Sequence, residues 1–460
     1  MFLATYVVDV VVPGTFATSI FLGSGLVLFA FSVPFSSSFH KGLVAAAFVA
    51  FGALVVSGRF EAGAFFGGLG TYFGIVAVLL VLSMAGYPIR APRFAEQIRG
   101  LLAAAARGGF GTRATSGALG HVLGAVLDVG SLVLIDAVLR SAASTETRFS
   151  SLVWGARAFS FAPLWTNLNV LTAITIVLTG VTYPALLAVS LPYVVVGMAA
   201  TLLFARAGEK GDEVPLSDTP LDRGAAAVLA YPVLLVAAVA VAHGVFPGFS
   251  LTATVSLTVA AVVALVAAAA AVMLRTRKPL RRLGVETREA LVGSHAEFAL
   301  FGGAGVLVLS LTQLGALAPV TWLFESLPVE LVAPALFVVI ALGFLGGIHV
   351  VPMVLLVHAA FPLDSGPAPA LWAVAILLGC QGVLLLSPFS NTVTMLARLS
   401  GLHPMEIGAR RNVRFSVAAT AAVAATRATI AATVSDTMAV RENPGNTPCA
   451  TATAATSSTG

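Results

Sequence analysis

Ala162-Pro163-Leu164-Trp165-Thr166-Asn167-Leu168-Asn169-Val170-Leu171-Thr172 and Ser387-Pro388-Phe389-Ser390-Asn391-Thr392-Val393-Thr394-Met395-Leu396-Ala397 are two versions of one pattern. Each sets a small residue and a proline ahead of a cluster of Thr, Asn and Ser, inside a long apolar run. Proline removes a backbone donor and breaks a helix. The hydroxyls and amides that follow can satisfy the freed backbone groups, or a bound solute. In a bilayer, broken helix is tolerated only where protein or a water-filled cavity covers it. Two such breaks in matching positions of two halves point to a transporter's binding site.

The composition supplies the bilayer. Hydrophobic residues make up 58% of the 460 positions and charged residues 10%, with a mean hydropathy of +0.99. So little charge could not clothe a soluble surface. Apolar runs of transmembrane length recur along the chain, which predicts an all-α polytopic membrane protein. The short alternating segments of a β-barrel are absent. No cleavable signal peptide is expected, since no small-residue cleavage site follows the first long apolar segment. Cys380 sits in an apolar run and Cys449 in a polar tail, so no disulfide framework is implied. The pI near 9.6 is read as basic loops on one face of the membrane, not as a nucleic-acid surface.

Those loops give the orientation through the positive-inside rule. The densest cluster, Arg275, Arg277, Lys278, Arg281, Arg282 and Arg288, is placed in the cytoplasm. Walking outward, Lys41, the stretch from Arg90 to Arg113, Arg140 with Arg148, Arg206 with Lys210 and Arg223, and Arg398 with Arg410, Arg411 and Arg414 fall on the same side. The outer loops hold Arg59, Glu61, Glu325, Glu330 and Asp364.

Taken in order, residues 1–13 are an unplaced apolar lead. Spans are expected at about 14–33, 43–58 and 62–86, then a basic loop at 87–113 with an amphipathic surface segment. Residues 114–140 have basic flanks at both ends, which predicts a re-entrant hairpin from the cytoplasm with its tip near Asp128. The broken span 151–180 and a span at 183–205 close a first repeat, 1–205. A charged linker at 206–223 precedes the second repeat, 224–432. That repeat has spans near 224–244, 250–274 and 294–319, a hairpin from outside at 328–361 with its tip near Gly343, Gly346 and Gly347, a broken span at 370–397, and a final span near 412–432. The tail, 433–460, is polar and expected to be disordered. The prolines of the two breaks are 225 positions apart, and Leu80-Val81-Leu82-Ser83 lies 227 positions before Leu307-Val308-Leu309-Ser310. A linker with both ends inside makes the second repeat an inverted copy of the first, about five spans each.

This layout resembles the ion transporter superfamily, which includes divalent-anion/sodium symporters, citrate symporters, and arsenite and sodium/proton exchangers. Ser390-Asn391-Thr392 is similar to the Ser-Asn-Thr motif of the divalent-anion symporters. In that group such triplets lie at hairpin tips and bind substrate carboxylate with sodium alongside. Here the triplet follows Pro388 in the broken span, and the first half has Thr166-Asn167 without the full triplet. The resemblance implies a homodimer, an elevator motion, and no cofactor beyond bound sodium.

The candidate solute-binding residues are Thr166, Asn167, Asn169, Ser390, Asn391, Thr392 and Thr394. Their neutral oxygens suit a hard cation, and the helix N-termini after each break suit an anion. The bland reading is helix–helix hydrogen bonding, worth about 0.6 kcal/mol per contact. Asp128, Ser131, Ser387 and His349 are candidates for ion or proton coupling. A carboxylate at membrane depth is costly unless paired or wet, so Asp128 is either a cation or proton site or a residue near the cytoplasmic surface. Asp136 is expected to pair with Arg140. Arg157 either meets a substrate carboxylate or snorkels to the interface. His349 either titrates or packs. Sequences typical of metalloproteases, redox dithiols, nucleotide loops or nucleophile elbows are absent, so an enzyme is not expected. The expectation is a plasma-membrane secondary transporter for a small organic anion, a carboxylate, coupled to sodium or protons. The alternatives are a sodium/proton or inorganic-anion exchanger of the same fold, or the membrane subunit of a binding-protein-dependent carrier.

Overall fold

The computed structural model describes residues 1–89, 92–107, 111–140, 143–207, 223–346, 350–361, 363 and 369–418, and among them there is no strand. In the first half the helices are α1 Phe2–Val11, α2 Thr15–Ser32, α3 Ser38–Val56, α4 Ala62–Ala85, α5 Pro92–Arg107, α6 Thr112–Leu127, α7 Gly130–Leu139, α8 Thr145–Phe159, α9 Val170–Thr179 and α10 Tyr183–Ala207. In the second they are α11 Arg223–Val245, α12 Leu251–Met273, α13 Lys278–Gly293, α14 His295–Leu314, α15 Ala318–Glu325, α16 Val329–Leu345, α17 Val350–Ala360, α18 Pro369–Leu384 and α19 Asn391–Ser400, before a π-helical turn at Glu406–Asn412.

Among the described residues seven helices are long and apolar enough to cross a membrane: α2, α3, α4, α10, α11, α12 and α14. The chain is therefore a multi-pass membrane protein. Burial separates the seven into layers. In α4 and α14, 61% of the most apolar window is buried, against 17% in α3 and 28% in α2, α10, α11 and α12. The first two form the centre of the bundle, and the others leave most of their surface exposed on its outside.

The central contacts are close because glycines admit them. A Cβ on Gly305 of α14 would meet the Tyr72 ring of α4, and one on Gly303 would meet Val44 of α3. α14 thus packs on α2, α3 and α4, while α12 packs on α4. A second group is built the same way. α6 lies so near α8 that a Cβ on Gly120 would stand 2.5 Å from the Gly155 carbonyl oxygen. α16 lies against α18, where a Cβ on Gly379 would be 3.0 Å from the Phe337 carbonyl oxygen.

Several elements differ from the sequence reading. The lead at 1–13 is helix α1, docked through Phe2 stacked on Phe21 at 5.3 Å and edge-on to Phe298 at 5.1 Å. The basic stretch after α12, expected as loop, is helix α13. Its Pro279 sits in the first turn, and Arg282 pairs with Glu286 at 2.7 Å across one turn. The span expected to run to 319 stops at Leu314, where Gly315 turns left-handed, φ 73°, and α15 follows. The amphipathic segment in 87–113 is α5, which buries Ile98 and Leu102, one turn apart. Apart from Arg206, Ala207 and Arg223, the expected linker lies outside the described residues, as do the tail, the final span beyond residue 418, and Gly347.

Packing predicts opposite results for two glycines. Gly120→Ala drives a side chain into rigid backbone and is expected to cost about 1–3 kcal/mol. Gly70→Ala, with nothing within 4 Å of its Cβ, is expected to be neutral or to stabilise by up to about 1 kcal/mol. Thermal midpoints of the two purified variants in detergent read the difference.

Candidate functional site

The two Pro-led stretches leave the chain non-helical at the same kind of place. α8 ends at Phe159, a 3-10 turn covers Ala162–Leu164, and α9 begins at Val170. In the second half α18 ends at Leu384 and α19 begins at Asn391. α9 and α19 are alike in detail. Each has 10 residues, each is capped at its start by a side chain, and each closes on a left-handed glycine, Gly180 and Gly401. The Asn169 side chain accepts from the Leu171 N–H at 2.9 Å. Ser390 Oγ accepts from the Val393 N–H at 3.0 Å. Such caps satisfy donors that a helix start leaves orphaned.

Beside the breaks lie two helix pairs. α6 and α7 are joined by a turn at Asp128 and Val129, which Ser131 closes by donating to the Asp128 carbonyl at 2.8 Å. α16 and α17 meet where a Cβ on Gly343 would strike Met353; Gly347 and His349, between them, are outside the described residues. Between the pairs and the breaks is a cavity of about 290 Å³. Asp128, Asn169, Asn391 and Thr392 border it, with Gln381 and Cys380 of α18. His40 of α3 and Glu297 of α14 complete its polar lining.

Four of the sequence-based candidates therefore come together: Asp128, Asn169, Asn391 and Thr392. The others serve the frame around them. Thr166 is buried, donates to the Ala125 carbonyl at 3.2 Å and accepts from the Leu168 N–H. Ser387 is buried and donates to the Phe344 carbonyl at 3.0 Å, tying the second break to α16. Ser390 is a cap, and Thr394 is half-buried one turn further on. Asn167 is buried, and neither end of its side-chain amide has a hydrogen-bond partner; it does not border the cavity. Arg157 faces elsewhere. It donates to Asn412 Oδ1 at 3.0 Å and to the Arg411 carbonyl at 2.8 Å, and lies over the Trp154 ring.

Asp128 has no ion-pair partner among the described residues, and its backbone sits at φ 52°, a region that favours glycine. Asp136 in α7 is different. It is buried and paired with Arg140 at 2.5 Å and with Arg148 at 2.8 Å. Arg148 also donates to the Leu399 carbonyl at 2.6 Å.

Three polar side chains in or beside this region escaped the sequence reading. Glu297 is the single acid in the apolar run from Ala296 to Phe324, a signal that was legible. His40 adjoins Lys41 and was absorbed into a basic flank. His121 has a structural part: its Nδ1 meets the Ala158 carbonyl at 2.9 Å and its Nε2 accepts from the Trp165 indole N–H at 3.0 Å. Those partners require a neutral imidazole protonated on Nδ1, which pins α6 to the first break. Among the described residues no three His, Cys, Asp or Glu come together to hold a metal ion. The polar groups that border the cavity are carboxylate, amide, hydroxyl, thiol and imidazole.

The strained turn makes a test. Asp128→Gly is expected to be more stable than Asp128→Ala by about 1–2 kcal/mol, because only glycine adopts the backbone freely. Equal midpoints in detergent would show that the turn carries no strain. The chain matches no protein-family model and no curated protein sequence.

Proposed function

We propose that this protein is a cation-coupled secondary transporter of the plasma membrane, built from two inverted-topology repeats and working by alternating access as a homodimer. The observation that carries the reading is the single cavity bordered by both Pro-broken segments and both helix pairs. Packing supports the repeat. α3 against α14 and α12 against α4 are one contact made twice with the halves exchanged, as are α6 against α8 and α16 against α18. Basic flanks set α4 and α14 in opposite directions across the membrane. Broken helices that meet at one site are the arrangement such carriers use.

Charge narrows the cargo. Asp128 and Glu297 border the cavity, and no lysine or arginine lines it among the described residues. Two carboxylates lining one cavity attract cations. A small organic carboxylate then enters only with sodium or protons co-bound, which makes its uptake a symport. Asn169, Asn391 and Thr392 supply the uncharged contacts; Thr392 Oγ1 has no partner among the described residues. The same acidic lining favours a second reading, exchange of sodium for protons with no organic solute.

Radiolabelled uptake of a panel of small carboxylic acids into proteoliposomes, with sodium and proton gradients imposed separately, decides between them. Accumulation of one acid under one gradient is the expected result. Asn169→Ala and Asn391→Ala are each expected to lower that uptake by about tenfold or more, the loss of one well-placed contact of about 1.4 kcal/mol. Unchanged uptake in both variants would remove the site. No acid taken up, with sodium still collapsing a pH gradient, would establish the exchanger.

A further inference from the structure

The cavity has a side the two breaks do not explain. Besides the breaks and the helix pairs, α3 and α14 line it, contributing His40 and Glu297. Both residues lie in the first turn of their helices, and both helix starts adjoin basic flanks, Lys41 and the 275–288 cluster. Those flanks put His40 and Glu297 at the cytoplasmic end of the cavity.

Their hydrogen bonding is incomplete in a specific way. One carboxylate oxygen of Glu297, Oε2, is buried and has no hydrogen-bond partner among the described residues. His40 is half-buried, and the Ser37 hydroxyl meets its Nδ1 at 3.1 Å, which leaves Nε2 to exchange with the cavity. A buried, unpaired carboxylate oxygen is costly when charged, and protonation relieves that cost. The competing explanation is a helix-start acid held by the α14 dipole, but that role does not call for a cavity that His40 also lines.

We propose that Glu297 and His40 form a proton relay between the cytoplasm and Asp128. Glu297 takes one proton from cytoplasmic water and becomes a carboxylic acid. It yields that proton through cavity water to the Asp128 carboxylate and returns to its ionised form. His40 Nε2 accepts and returns a proton in the same exchange. The cavity, at about 290 Å³, holds on the order of ten waters at about 30 Å³ each, enough to bridge its walls. No oxidant, metal or second substrate is needed. Sodium is disfavoured at Glu297, because a hard cation needs several oxygens and this wall offers one carboxylate.

Other charges near this end of α14 are limited. α3 carries Lys41 besides His40, α13 carries Arg288 and Glu289, and α14 itself carries His295. α2 and α4 carry no Asp, Glu, Lys, Arg or His, and His358 is eight positions along α17 from the cavity-lining Val350.

The relay deepens the transport reading, yet its test contains no solute, so the two can fail separately. Time-resolved infrared difference spectra of the purified full chain after an acid pH jump follow the carboxylic-acid C=O band. One component is expected to vanish in Asp128→Asn and another in Glu297→Gln, a near-isosteric change that spares the helix start. In Glu297→Gln the Asp128 component is expected to keep its amplitude and to rise about tenfold or more slowly, the scale of a lost general acid–base partner. His40→Gln is expected to slow it in the same direction. An unchanged Asp128 rate in both variants, or no Glu297 component at all, would overturn the relay while leaving the uptake result untouched.

Discussion

A peptide group inside a bilayer can bond only to its own protein or to water the protein admits, and a break in a helix exposes several at once. Everything about the site follows from how this chain answers that demand. Thr172 donates to the Pro163 carbonyl, Asn169 receives the Leu171 N–H, and Ser390 receives the Val393 N–H. Thr166 and Ser387 reach across to carbonyls of α6 and α16, so each break is fastened to the helix pair of its own half. An exposed peptide group in hydrocarbon costs several kcal/mol, while a single interhelical hydrogen bond yields about 0.6 kcal/mol. The polar clusters are therefore structural first. The side chains left over, Asn391 and Thr392 above all, border the cavity.

That hierarchy explains what could be read from the residues alone. Long helices such as α4 and α12 were legible because length and hydropathy decide them without reference to neighbours. The Pro-led stretches were legible because few other uses exist for so many hydroxyls and amides in an apolar run. Which member of a cluster caps, which cross-links and which faces open space depends on partners some 40 positions away, such as Ala125 for Thr166 and Phe344 for Ser387. No local pattern encodes that. α13 was hidden because its apolar stripe, with Leu283 and Leu291 against the core, lies among charged residues that read as a basic loop; the Arg282 guanidinium also lies over the Tyr87 ring at 5.2 Å. The left-handed backbone of Asp128 had no sequence signature at all.

Arginines tie together the helices that flank the two Pro-led stretches. Arg157 joins α8 to Asn412 and Arg411, some 255 positions away, and Arg148 joins α8 to the end of α19 at Leu399. Asp136 adds the α6–α7 pair to that network through Arg148. A buried carboxylate stripped of its partner costs about 3–5 kcal/mol, so these ties are stiff. They make the two breaks and the first helix pair one mechanical unit.

The central place of α14 bears on how the protein is made. It is the common partner of α2, α3 and α4, yet it leaves the ribosome more than 200 residues after them. Until then α3, which buries only 17% of its apolar window even in the finished molecule, stands in the membrane on hydropathy alone. α6 to α9 are shorter and interrupted, and lack that independence. During synthesis the long helices can enter the bilayer as they emerge, while the broken ones must be sheltered until their counterparts arrive. The division between scaffold and site is thus also a division in time.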